Sequence, residues 1–127
     1  MKKFAIPTVN NLLTPHFGHC EKFAIVETED NSIINVNYVT PPVHQPGSYP
    51  KFLADQGVST IISGGMGIKA QELFTQNNIE VCIGVHTDSP QNLVEQYLAE
   101  LKQMLDLLTL LIASASDFVI VLSMQDF

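Results

Sequence analysis

Hydrophobic residues run along this chain in two rhythms. In the first forty positions they form short blocks bounded by turn formers: KFAIPT (3–8), KFAIVET (22–28) and SIINVNYV (32–39). Blocks of this length, rich in apolar and β-branched residues, predict strands, and the polar Glu29-Asp30-Asn31 predicts that the last two form an antiparallel hairpin. The first block reads as a strand ended by its proline. TPPVHQPGSYP (40–50), with four prolines and a glycine, reads as a loop within one domain.

From Tyr49 the rhythm turns helical and then alternates. YPKFLADQG predicts a short helix with Phe52 and Leu53 facing inward and Gly57 as its stop. VSTIIS (58–63) predicts a buried strand, GGMG (64–67) a turn, IKAQELFTQNN (68–78) an amphipathic helix and EVCIGV (80–85) another buried strand. Asp88 or Ser89 caps a last helix with Pro90 in its first turn and an apolar stripe of Leu93, Val94, Tyr97, Leu98 and Leu101. The order is β-β-β-α-β-α-β-α. Strands that follow helices are expected to be parallel and buried on both faces. The expected fold is therefore a three-layer α/β/α domain on a mixed five-stranded sheet, occupying residues 1–103.

Residues 104–127 form an atypical apolar extension. Positions 107–125 carry one charge, Asp117, and are long enough on paper to span a bilayer. An aspartate near the middle opposes insertion by about 2.5–3.5 kcal/mol, and Lys102 is the only basic residue nearby, so membrane contact is not expected. Ser114, Ser116 and Asp117 divide the stretch into a continuation of the last helix and a strand-like FVIVLSM, and a packed extension or a contact between subunits is the expected role.

Composition narrows the function. The 127 residues include no arginine, and the net charge of −7 excludes a nucleic-acid partner, which needs a basic face. Residues 1–69 balance five lysines against five acids, whereas residues 70–127 set one lysine against eight. An anionic ligand therefore belongs with the first half. Two cysteines make no disulfide framework, and MKKFAIPTVNN lacks the apolar run of a signal peptide, so the cytoplasm is expected and Cys20 should be a free thiol.

The densest chemistry lies in TPHFGHCEKF (14–23), where His16, His19 and Cys20 fall within five residues. Imidazole and thiolate suit zinc, copper, iron and thiometallate clusters. His44 sits in the proline-rich loop, and an antiparallel arrangement of the first three strands brings that loop to the same end of the sheet as His16. The spacing lacks the paired geometry of a zinc motif. A turn with exposed histidines and a buried cysteine fits each residue taken singly. His86 reads as a loop residue and Cys82 as core.

SGGMGIKA (63–70) is the second feature. A strand running into Gly64, Gly65 and Gly67 and then a helix offers bare N–H groups to an anion, with Lys69 adding charge. It is neither a dinucleotide fingerprint nor a phosphate-binding loop of the GK[ST] type. A metal-dependent nuclease is excluded because KFAIPT carries no carboxylate, and a Cys20–histidine nucleophile lacks an orienting third group.

In this order, PHFGHCEKFAIVE, the loop holding His44, FLADQGVSTIISGGMGIKAQELF, IEVCIGV and VEQYLAEL resemble the nitrogenase iron–molybdenum cofactor biosynthesis family. That family includes NifX-like and NafY-like carriers, the C-terminal domain of NifB and the molybdenum–copper orange protein. The resemblance covers residues 1–102. It implies a ribonuclease H-like motif without nuclease residues, and a non-enzymatic role binding, storing or carrying an iron–molybdenum or molybdenum–copper sulfur cluster between assembly or target proteins. It also implies His16 as ligand, His44 and Cys20 as secondary ligands with His19 beside them, and the Gly64–Gly67 loop as the cluster's cradle. It offers no counterpart to residues 104–127, which leave room for a homo-oligomer. The rival readings are a regulatory interaction module using the acidic second half and the apolar tail, and an enzyme acting on a small anion at the glycine loop.

Overall fold

In the computed structural model, which describes residues 1–115, two tight hairpins organise the first forty residues. Strand β1 (Lys2–Val9) turns through Asn10-Asn11 into β2 (Leu12–Leu13), and β3 (Lys22–Glu29) turns through Asp30-Asn31 into β4 (Ser32–Val39). The turn residues have φ of 54° and 64° in the first case and 52° and 63° in the second. Two successive left-handed residues are what a type I′ hairpin requires, and Asn and Asp tolerate that region better than other side-chain-bearing residues. The β3–β4 hairpin matches the sequence reading. The β1–β2 hairpin does not appear in it, and it raises the sheet from the expected five strands to six. Two leucines after a turn are too short a block to register as a strand.

The sheet order is β4-β3-β1-β5-β6, with β2 paired to β1 off that path. One edge of β1 runs antiparallel to β3 from Lys2↔Thr28 to Thr8↔Lys22. Its other edge runs parallel to β5 (Thr60–Ile62) at Phe4 and Ala5, then antiparallel to β2 at Thr8 and Val9. Pro7 therefore lies inside β1 rather than ending it. Its carbonyl accepts from Thr14 N at 3.0 Å, on the β2 side. The missing N–H would point to that same side, so the ladder with β3 loses nothing.

Both faces of the sheet are buried along its central strands β1, β3 and β5. Ala5, Phe23, Ile25 and Ile61 share one core with Tyr49 and Leu53 of α1 (Ser48–Asp55) and Phe74 of α2 (Ile68–Gln76). Phe4, Ile6, Ala24, Val26 and Ile62 alternate with these and make the opposite face. Leu93 and Val94, at the start of α3 (Pro90–Ala115), are buried and stand outside the first core, which makes three layers. Ser89 is the cap of α3, its hydroxyl accepting from Asn92 N at 3.2 Å. β6 (Glu80–Cys82) is the sheet's edge and only half-buried, so the expectation of burial on both faces holds for β5 but not for β6, and Cys82 is half-buried too.

The described residues divide into two compact units, one spanning Met1–Glu95 and the other beginning at Gln96. The helical half of the expected extension is present as the end of α3, where Met104, Leu105, Leu107, Leu108, Leu110 and Leu111 are exposed. FVIVLSM (118–124) lies outside the described residues. Among those described, no helix is long and apolar enough to cross a membrane.

Candidate functional site

The segment between β2 and β3 is pinned at both ends to β1. Thr14 N donates to Pro7 O, Glu21 N to Thr8 O at 2.8 Å, and the Thr8 hydroxyl to Lys22 O at 2.9 Å. Between these anchors the chain makes one 3₁₀ turn, Phe17–His19, closed by His19 N to His16 O at 3.0 Å. Phe17 decides which way it faces. Its ring lies edge-on to Tyr49 and Phe74, 5.5 Å from each, so the aromatic goes into the core. His16 and His19 are thereby turned outward, both exposed, with ring centroids 6.4 Å apart.

His44 reaches the same place from the proline-rich loop. Its imidazole packs 4.7 Å from the Tyr49 ring and lies over Gly18, where an added Cβ would come within 3.1 Å of His44 Cε1. A side chain at position 18 would have to push the His44 ring aside by a few tenths of an ångström. Lys22 Nζ donates to the Thr40 hydroxyl at 3.0 Å and ties the base of that loop to β3.

The glycine loop completes the rim. Gly64 sits against the backbone of Pro15, and Gly84 N donates to Gly64 O at 2.9 Å. The carbonyls of Gly65 and Met66 are engaged by the Ser63 hydroxyl (3.1 Å) and the Gln71 amide (2.9 Å). The first bond of α2 is Gln71 N to Gly67 O, and the helix has no side-chain cap, so the N–H groups of Ile68, Lys69 and Ala70 have no partner within the helix. Acceptors are occupied while donors stand bare, which is the polarity an anion needs. Gly65 and Gly67 have neither a left-handed φ nor any atom within 4 Å of an added Cβ. Nothing inside the protein requires glycine there. A Cβ at either position would project into open space.

His16, His19, His44, Gly65 and Gly67, with Phe17, Met66 and Ala70 as apolar patches, line one open depression of about 400 Å³. Lys69 lines a neighbouring apolar cavity of about 210 Å³ instead, between α1 and α2, which shares Phe17, His44 and Ala70 with the depression. His86 is exposed and lines neither.

Cys20 stands apart from the other expected ligands. It is 9% exposed and belongs to the core with Phe23 and Tyr49. Burial pushes its thiol up from about 9 to about 11, against smaller opposing effects of a backbone hydrogen bond and the Tyr49 hydroxyl donating to its sulfur. Burial, followed by the neighbouring sulfur, also pushes the Tyr49 hydroxyl up. In this structure the Cys20 sulfur packs as part of the core and lines neither the depression nor the neighbouring cavity. Among the described residues, no three His, Cys, Asp or Glu side chains are grouped closely enough to hold a single metal ion. The three histidines instead lie apart around the depression, His16 and His19 with ring centroids 6.4 Å apart.

Sequence reasoning placed His16, His19, His44 and the three glycines, and the structure brings all of them to one side of the domain. It missed Phe17, Gly18 and Met66. The signal for Phe17 and Gly18 was present as an aromatic and a glycine wedged between two histidines, but their roles depend on Tyr49 and His44, which arrive from distant segments.

The α/β/α domain thus carries three exposed histidines and the uncapped N-terminus of α2 beside one open depression. The chain belongs to the dinitrogenase iron–molybdenum cofactor family, whose sequence profile matches residues 1–100. An uncharacterised protein of Methanocaldococcus jannaschii is 41% identical over 86 residues, 64% of this chain and 73% of the relative. The crystal structure of PH0822 superposes with a TM-score of 0.71 at 27% identity, over 77% of this chain and 91% of that one. The apo form of the orange protein from Desulfovibrio gigas has the same fold, with a TM-score of 0.66 at 22% identity over 79% and 89% of the two chains.

Proposed function

We propose that this protein binds an anionic metal–sulfur cluster at the rim formed by His16, His44 and the Gly64–Gly67 loop, and carries it in the cytoplasm between proteins of cofactor assembly. The single observation that carries this reading is the pair of glycines, Gly65 and Gly67, that line the depression without being required by the fold and lead into the uncapped start of α2. A cluster whose outer atoms are sulfides presents diffuse negative charge, which backbone N–H groups accept over an area and imidazoles fix at points. Iron–molybdenum cargo follows the description of the family. A molybdenum–copper sulfide is the alternative with the same exterior chemistry.

His16 is the principal ligand in this reading, and His44 and His19 are secondary. Lys69 adds positive charge beside the rim. A carrier needs few ligands, because each must be broken on release. Cys20 takes no part as a ligand: the sulfur lies in the core, and its proton would have to be removed against burial. The same protonated thiol argues against a nucleophile, so the reading is of a carrier and not a catalyst.

Anaerobic titration with tetrathiomolybdate plus copper, and separately with an iron–molybdenum–sulfur cluster, tests the proposal. Visible absorption and protein-bound metal should saturate at a fixed stoichiometry in the wild type and weaken at least about tenfold in His16→Ala, a loss of one metal–ligand contact. Equal binding in both proteins would remove His16 from the site. No bound chromophore in either would end the carrier reading for these cargoes.

A further inference from the structure

The last part of α3 presents an apolar surface with no role in the rim. Met104, Leu105, Leu107, Leu108 and Leu111 are 53–67% exposed, and Leu110 is 65% exposed. They do not fall at random around the helix. Written as heptads from Leu101, positions a are Leu101, Leu108 and Ala115, positions d are Met104 and Leu111, and positions e are Leu105 and Ile112. At 100° per residue the large apolar side chains from Leu101 to Ile112, Leu110 aside, fall in an arc of roughly 160°. The opposite side carries Lys102, Asp106, Thr109 and Ala113, with Leu110 beside Asp106 as its one large apolar residue. An arc this wide is that of a helix packed into a bundle rather than one lying in water.

We infer that this part of α3 is the self-association surface of the protein, pairing with the same segment of a second copy. Three observations favour a second copy over other occupants. The repeat is heptad-like with leucine dominant, the pattern that helix-to-helix packing selects. The seam is free of charge: Asp106 is the one charged residue between Gln103 and Ala115, and it lies on the opposite side. Two chains that each carry −7 can therefore meet here without bringing like charges face to face. The area is also adequate. Five side chains of this size, each more than half exposed, offer on the order of 600 Å² per copy, so a pair buries on the order of 1,200 Å², the lower limit of specific dimers. A lipid surface would call for basic residues beside the apolar arc, and Lys102 is the only one on this segment.

The test is the mass of the full-length chain by sedimentation equilibrium, for wild type and for the double variant Leu108→Glu/Leu111→Glu. The wild type is expected at twice the chain mass. The variant is expected at the chain mass, with dimerisation at least about 100-fold weaker and the far-UV circular dichroism of the wild type. Leu108→Met/Leu111→Met, which keeps the seam apolar, should remain dimeric and guards against misfolding as the explanation. A wild-type protein that stays monomeric up to its solubility limit overturns the proposal. So does a glutamate variant that remains dimeric, or a wild type that floats with phosphatidylcholine–phosphatidylglycerol vesicles as a monomer.

Discussion

At Gly65 a single atom can separate folding from the proposed binding role. Its added Cβ meets nothing and its φ is not left-handed, so Gly65→Ala should leave stability within about 0.5 kcal/mol of wild type by urea denaturation. In the same variant the methyl group stands at a position that lines the depression, and cluster binding should weaken at least about tenfold. Loss of both together would make Gly65 a folding residue and remove the strongest support for the cradle. Cys20 gives the converse case. The raised thiol makes the folded protein hold its proton between about pH 9 and pH 11 while the unfolded chain releases it. Folding through this group is thus fully favoured below pH 9 and loses that contribution as pH rises towards 11. The stability difference between wild type and Cys20→Ala should shrink over that window, with cluster binding in Cys20→Ala unchanged at neutral pH. The candidate histidines were legible in the sequence because residue type announces chemistry. The fate of Cys20 was not, because it depends on Tyr49, which arrives from 29 residues further on.

At the scale of elements, turn chemistry and capping were legible where one residue type carries one conformation. Asp30-Asn31 and Ser89 behave as such signals do. Ser89→Ala should cost about 1 kcal/mol in thermal or chemical denaturation, since the Asn92 N–H would lose its acceptor. Pro7 misled, because a proline stops a strand only when its missing N–H faces a partner, and which edge it faces is fixed by β2 and β3 together. The extra hairpin escaped for a related reason: Asn10-Asn11 is a turn signal, but two leucines are too few to show a period. Thr60 belongs to this scale as well. Its hydroxyl is buried and, among the described residues, has no hydrogen-bond partner. Thr60→Val replaces it with a methyl group of the same shape and should raise stability by about 1 kcal/mol. An equal or lower midpoint would mean that the hydroxyl is satisfied by ordered water.

For the whole molecule, the division of charge has a consequence for how an anionic ligand would approach. The first half is neutral and carries the rim, and the net −7 comes from residues 70–127. An approaching anion meets long-range repulsion and short-range attraction. Added salt screens the first more than the second, so the association rate of an anionic cluster should rise from low to moderate ionic strength. A falling rate would mean that the local positive potential of the rim dominates at long range too. Fold class and family resemblance were legible at this scale because they rest on the order of many segments. The depression itself was not, since it is made where three segments distant in sequence meet.

The most direct measurement of the central claim is an amide and imidazole chemical-shift map of the isotope-labelled protein, with and without a diamagnetic molybdenum–copper–sulfide cluster. The account predicts changes confined to the Gly64–Ala70 amides and to the rings of His16, His19 and His44, with Cys20 and the core unmoved. Changes centred elsewhere, or no changes at saturating cluster, would contradict it.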